Sequence, residues 1–128
     1  MNFPLLSRLT LHLSACVAYP FVSYFGFWSY QNIAGTPVAR GVDIGIAMQL
    51  IFYGFIIMNL MMIGMRRVVP RLILLGAALL GICLYLLPEF PLRALGTVAM
   101  FGSLGLLAIC ASNWLELKLS TLVRNKTI

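Results

Sequence analysis

Residues 44–67 read IGIAMQLIFYGFIIMNLMMIGMRR, in which 22 uncharged residues are followed directly by two arginines. A run of about 20 apolar residues is long enough to cross the hydrocarbon of a bilayer as an α-helix. A helix is also the segment that can satisfy all of its own backbone hydrogen bonds in lipid. This stretch therefore predicts a membrane-spanning helix that ends at a charged surface.

Three further uncharged runs accompany it, Leu9–Ala39, Leu72–Pro88 and Ala94–Leu115. Hydrophobic residues make up 62% of the 128 residues and charged residues 9%, whereas a soluble domain has roughly 45–50% and about 25%. The sequence therefore predicts an all-α membrane protein that forms a single membrane domain over residues 1–128. We expect four transmembrane helices in an up-down bundle, at about 9–30, 44–65, 71–87 and 94–117.

The distribution of basic residues predicts the orientation. Even-numbered crossings return the chain to its starting side, which then carries seven of the nine Lys and Arg residues: Arg8, Arg66, Arg67, Arg71, Lys118, Arg124 and Lys126. The other side carries Arg40 and Arg93, each close to an acidic residue. Because cytoplasmic loops are enriched in Lys and Arg, we expect both termini in the cytoplasm. The compact four-span design suggests a bacterial inner membrane.

The net charge of +6 does not indicate nucleic-acid binding. The basic residues flank apolar runs, and none is spaced to follow a phosphate backbone. Contacts with membrane lipid headgroups account for them, so we expect lipids and no nucleic acid as partners.

The first apolar run has an alternative interpretation as a signal segment. Leu13-Ser14-Ala15-Cys16 resembles a bacterial lipobox, in which Cys16 would be lipidated. The apolar run before Cys16 has only about seven residues and contains His12, which is short for such a segment. The run continues to Tyr30, so we favour an uncleaved spanning helix with Cys16 as a small apolar residue.

Polar and helix-breaking residues within the apolar runs are the first candidates for function. Gln49 and Tyr53 share a helix face, and with Asn59 they form a candidate polar face of the second helix. We expect these side chains to face protein, because an unpaired amide in lipid is costly. Pro20 lies inside the first helix and is either a packing kink or a hinge.

Small residues recur every three positions along the fourth helix, at Gly96, Ala99, Gly102, Gly105 and Ala108. Such residues let membrane helices approach closely. We expect this helix to be the most buried, with Ala77 and Gly81 of the third helix in the contact. Because the row winds around the helix, one side could pack internally while the other meets a partner protein or a second copy.

Catalytic chemistry is the least supported class. The acidic residues Asp43, Glu89 and Glu116 all lie at predicted helix ends, and His12 is the only ionisable candidate within a span. Haem ligation by two histidines is therefore impossible, and the three scattered cysteines suggest neither a zinc site nor a disulfide framework. We expect no enzyme activity, metal or cofactor.

His12 is either a hydrogen-bonded interfacial histidine or a titrating switch. Glu116 is expected to form an interhelical ion pair near Arg67 and Arg71.

Two functional hypotheses remain open at this point. The first is a non-catalytic protein that binds another membrane protein, or itself, through helix contacts within the bilayer. Examples are an immunity protein against a membrane-targeting toxin and an accessory subunit of a membrane complex. The second is a small oligomeric transporter or lipid flippase, with a polar path along Gln49, Tyr53, Asn59, Ser103, Ser112 and Asn113. A pore-forming, holin-like protein is a third option.

Overall fold

The computed structural model describes residues 3–35 and 41–126, and this part of the chain forms four α-helices and no strands. The helices are α1 (Phe3–Ala34), α2 (Gly41–Gly64), α3 (Val68–Leu86) and α4 (Pro91–Lys126). All four are long and apolar enough to cross a membrane. The predicted number and type of elements are therefore confirmed. The residues numbered 36–40, within the predicted first connection, lie outside the described part.

The helices are longer than the uncharged runs that predicted them. α1 begins before Arg8, and α4 continues past Glu116 to Lys126. Compared with the predicted bounds of about 9–30 and 94–117, α1 begins six residues earlier and ends four later, and α4 begins three residues earlier and ends nine later. The physical reason is that a charged side chain does not end a helix when it has a partner on a neighbouring helix, whereas a left-handed Gly after the last turn and a Pro in the first turn are typical of helix ends.

Glycine and proline residues mark two of the helix ends, and a short turn joins two of the helices. α1 ends before Gly35, which has φ +76°, a left-handed conformation that suits glycine at the position after a helix. α4 begins with Pro91, whose missing N–H is not needed at a first helical position. Between α2 and α3 only Met65, Arg66 and Arg67 connect the two helices, so α2 and α3 meet at a tight turn.

Aromatic rings form the centre of the bundle. Tyr19 of α1 stacks on Phe55 of α2 with centroids 4.6 Å apart, and Phe101 of α4 meets Phe55 edge-on at 4.8 Å. All three residues are buried. Edge-on and offset pairs of this kind add about 0.5–1.5 kcal/mol each beyond the area they bury, so they fix the relative positions of α1, α2 and α4.

Burial is highest along α4, as expected: 39% of its apolar segment is buried, against 11% for α3. Gly102 and Gly105 face Leu79 and Leu75 of α3, and a Cβ at Gly105 would lie 2.6 Å from Leu75 Cδ1. The expected contribution of Ala77 and Gly81 to this contact is wrong, because both are exposed. Large leucines of α3 pack against small residues of α4, instead of small residues against small ones.

Candidate functional site

Charged and polar side chains from α1, α3 and α4 meet the backbone carbonyls at the end of α2. Arg8 of α1 is buried, and its Nη1 donates hydrogen bonds to the carbonyls of Ile63 (3.3 Å) and Met65 (3.1 Å) at the end of α2. The last carbonyls of a helix have no partners within the helix and carry its partial negative charge. Arg8 therefore caps α2 from the neighbouring helix.

Arg71 of α3 caps the same end. Its Nη2 and Nε donate to the Met65 carbonyl at 2.6 and 3.0 Å, and its Nη1 donates to Ser112 Oγ of α4 at 2.9 Å. The Arg71 side chain is fully buried. A guanidinium has five donors and no acceptor, so one side chain can link the turn after α2 to α4.

Glu116 of α4 supplies the negative charge between these two arginines. Its Oε1 lies 2.8 Å from Arg8 Nε and 3.6 Å from Arg71 Nη2. The interhelical ion pair expected at Glu116 is therefore present, with Arg8 and Arg71 as its partners, whereas Arg67 is exposed at the turn. We call Arg8, Arg71, Ser112 and Glu116 the charged cluster.

His12 and Asn59 form a second buried contact near this end. His12 Nδ1 lies 2.7 Å from Asn59 Oδ1, and Asn59 Nδ2 donates to the Phe55 carbonyl at 2.9 Å. Because Asn59 uses its amide group as donor to Phe55, its oxygen faces the ring, and His12 Nδ1 is the donor. Within the described residues His12 Nε2 has no hydrogen-bond partner and is buried. This arrangement fixes the His12 tautomer by a contact between α1 and α2.

The candidate polar face of α2 divides into two parts. Asn59 is buried against His12, whereas Gln49 and Tyr53 lie on the outer surface, where Gln49 Nε2 donates to Tyr53 Oη at 3.3 Å. Tyr53 is 51% exposed and lies near the midpoint of the apolar segment Gly45–Gly64. We expected Gln49, Tyr53 and Asn59 to face protein. Among the described residues of this chain, only Asn59 does so.

The Gln49–Tyr53 pair differs from the exposed Ser and Thr side chains in the spans. Thr10 donates to the Leu6 carbonyl, Ser14 to the Thr10 carbonyl and Ser103 to the Met100 carbonyl, each within its own helix. Among the described residues, Gln49 and Tyr53 bond only to each other. The side-chain carbonyl of Gln49, its second amide N–H and the Tyr53 hydroxyl hydrogen have no partner in the ranges 3–35 and 41–126.

An apolar row runs along the same side of α2. Ile46, Leu50, Tyr53, Ile57 and Leu60 are spaced four and three residues apart and are between 51% and 58% exposed. We call these five residues the outer face of α2. The alternating spacing is that of side chains that interlock with one neighbouring helix. Leu50 also borders an apolar groove of about 320 Å³ between α2 and α3, which Gly54, Ala78 and Phe101 line as well.

The small-residue row of α4 is divided in the same way. Gly102, Gly105 and Ala108 are buried within the bundle, whereas Gly96 and Ala99 are exposed. Pro20, the candidate hinge, lies inside α1 with an exposed side chain, next to the buried Tyr19.

In the sequence, Arg8 looks like a charge at the membrane surface and Ser112 like part of a polar path. The signal that could have identified them is that Arg8 and Arg71 lie about one helical turn after the starts of α1 and α3, on the same predicted side of the membrane as Glu116 of α4. Charges at that depth pair with one another or with backbone carbonyls.

The ionisable side chains at this end of the bundle contact one another or neighbouring polar groups. His12 Nδ1 bonds to Asn59, and the Glu116 carboxylate is paired with the guanidinium groups of Arg8 and Arg71. In the ranges 3–35 and 41–126, no group of three or more His, Cys, Asp and Glu side chains is placed to hold a metal ion.

Comparisons with protein-family models, curated proteins and solved structures yield no match to this chain.

Proposed function

We propose that the chain is a non-catalytic, multi-pass protein of the bacterial inner membrane that binds another membrane protein within the bilayer. An immunity protein against a membrane-targeting toxin and an accessory subunit of a membrane complex both act in this way. In this proposal the four helices form an up-down bundle with both termini in the cytoplasm. The excess of Lys and Arg around the termini and the α2–α3 turn supports that orientation.

The observation that supports the proposal is the exposed Gln49–Tyr53 pair at mid-span. Hydrocarbon offers no hydrogen bonds, and an amide without partners in such a medium costs several kcal/mol on water-to-alkane scales. The other exposed hydroxyls described above avoid this cost by bonding to their own helices. A neighbouring helix with polar side chains would supply what Gln49 and Tyr53 lack.

Transport is the alternative, and the positions of the side chains favour it less. The residues of the candidate path lie on different surfaces: Asn59 and Ser112 are buried in contacts with His12 and Arg71, whereas Gln49 and Tyr53 are outside. Ser103 is exposed and bonds to its own helix. A path would have to join these surfaces, and the groove between α2 and α3 is lined by Tyr85 and otherwise by apolar residues.

Photo-crosslinking in native membranes tests the proposal. A photoreactive residue replaces Ile57 on the outer face of α2 or, as the matched control, the equally apolar and exposed Leu84 on α3. We expect a protein adduct from position 57 and lipid adducts only from position 84. The double variant Gln49→Leu/Tyr53→Phe should reduce the adduct at least fivefold, because about 1 kcal/mol of interhelical hydrogen bonding is lost.

Ser103→Ala is the control for removing an exposed polar group, and it should leave the adduct unchanged. Equal adducts from positions 57 and 84, or an adduct that persists in the double variant, would contradict the proposal. An adduct with twice the mass of the chain would identify a second copy and would contradict binding to another protein.

A further inference from the structure

The turn that follows α2 carries positive charge that no described acidic residue pairs with. Arg66 and Arg67 are exposed, and neither forms an ion pair with any residue that the structure describes. They come directly after Gly64 and Met65, at the end of the helix that carries the outer face. A helix lying along that face therefore ends beside the turn that carries these two arginines.

No acidic residue of the chain is placed to neutralise them. Glu116 is already paired with Arg8 and Arg71. Asp43 lies at the opposite end of α2, and Glu89 follows the far end of α3. The positive charge at the end of the outer face is thus available for a group outside the chain.

This charge also distinguishes between two occupants of the face. Copies of one membrane protein share one orientation, so a second copy that packs on α2 through its own α2 would bring its own Arg66 and Arg67 to the same end. Like charges at close range oppose that contact. A helix with acidic residues at this end would instead be attracted.

We infer that the partner is a single membrane-spanning helix of another protein with three features. It has an apolar face that interlocks with Ile46, Leu50, Ile57 and Leu60. It carries a hydrogen-bonding side chain near mid-span, opposite Gln49 and Tyr53. It has Asp or Glu at its end beside Arg66 and Arg67. This inference rests on the proposed function and adds the chemistry of the partner.

The test uses four synthetic helices with the same leucine-rich span. Each has Gln or Leu at mid-span and Glu-Glu or Lys-Lys at one end. Association with the fluorophore-labelled chain is measured by energy transfer in phosphatidylcholine vesicles, whose lipid has no net charge. We expect the Gln, Glu-Glu helix to bind most tightly and the change to Lys-Lys to weaken binding about tenfold, which corresponds to two ion pairs of somewhat under 1 kcal/mol each.

Charge reversal on the chain provides the matched control. Arg66→Glu and Arg67→Glu should each weaken binding of the Gln, Glu-Glu helix about threefold to fivefold and strengthen binding of the Gln, Lys-Lys helix. Lys118→Glu makes the same charge change on α4, where Lys118 lies over the Trp114 ring, and should change neither.

The outcomes separate the two proposals. If Glu-Glu and Lys-Lys helices bind equally while mid-span Gln still strengthens binding, the acidic partner is wrong and the outer face of α2 stands. If mid-span Gln and Leu are equivalent and Gln49→Leu/Tyr53→Phe has no effect, the proposed binding face is wrong as well. Absence of association with all four helices overturns both.

Discussion

Arg8 Nε of the first helix lies 2.8 Å from Glu116 Oε1 of the last helix, although 108 residues separate them in the sequence. The same carboxylate oxygen lies 3.6 Å from Arg71 of the third helix. Both arginines also bond to the end of the second helix. One carboxylate thus balances two guanidinium groups at a point where all four helices meet.

Replacing Glu116 with Gln should strongly destabilise the bundle. The change preserves shape but leaves two buried cations without a counter-charge, and breaking a buried pair in this way costs about 3–5 kcal/mol. Equilibrium unfolding in mixed detergent micelles should show a loss near the lower end of that range, because Glu116 is partly exposed. Glu89→Gln is the matched control at an exposed position. Equal unfolding free energies for the two variants would show that the charged cluster does not stabilise the fold.

His12 and Asn59 should behave as an energetically coupled pair. The variants His12→Leu, Asn59→Leu and the double variant form a cycle that isolates their interaction from the effect of each change alone. Because hydrogen bonds between membrane helices average about 0.6 kcal/mol with a maximum of about 1.7, we expect coupling of about 1 kcal/mol. The measurement is the unfolding free energy of each variant. A coupling indistinguishable from zero would mean that the 2.7 Å contact adds nothing to stability.

Replacing Gly105 and Gly96, two glycines of the small-residue row on α4, with alanine should change the stability of the protein differently. At Gly105 a new Cβ would lie 2.6 Å from Leu75 Cδ1, and Leu75 is itself buried, so we expect Gly105→Ala to destabilise the protein by about 1–3 kcal/mol. At Gly96 nothing lies within 4 Å of the new Cβ. Since Ala is better than Gly in a helix interior by about 1 kcal/mol, Gly96→Ala should be neutral or stabilising.

Thermal unfolding of both glycine variants under one set of conditions provides the comparison. A third variant, Gly26→Ala, calibrates it, because its Cβ would meet Met100 Sδ at 2.6 Å and a methionine side chain can move aside. We expect an intermediate effect. The packing described for α3 and α4 would be contradicted if Gly105→Ala were the mildest of the three.

Pro20→Ala separates a packing kink from a hinge. Proline has no N–H, so the carbonyl of Cys16 loses the donor that an ordinary residue at position 20 would supply. Restoring that donor should stabilise α1, by up to about 3 kcal/mol where the surrounding helices accommodate a straighter α1. The unfolding free energy and the crosslinking yield at position 57 are measured together. Higher stability with unchanged yield indicates a kink, whereas higher stability with loss of yield indicates a hinge.

The number, type and approximate position of the four helices could be predicted from the sequence. In lipid, each span must satisfy its own backbone, and apolar runs of about 20 residues leave no choice but a helix. Residues 44–65 and Leu72–Pro88 therefore predicted α2 and α3 to within a few residues. This argument considers the backbone hydrogen bonds of one helix at a time. It therefore does not predict a helix end that depends on contacts with another helix. Arg8 and Glu116 looked like boundaries in the sequence, but both lie inside helices because each neutralises the other.

Only the tertiary structure decided which polar residues face the interior. Asn59, Gln49 and Tyr53 are all polar residues of one apolar helix, yet Asn59 meets His12 and the other two lie on the outer surface. Likewise, Gly105 packs against Leu75 while Gly96 in the same row is exposed. In a membrane protein both the core and the outer surface are apolar, so hydrophobic periodicity does not distinguish them. The sequence alone determined that the chain can cross a membrane four times. The packing of the helices determined which polar groups of the described residues are hydrogen-bonded in the interior and which lie on the outer surface.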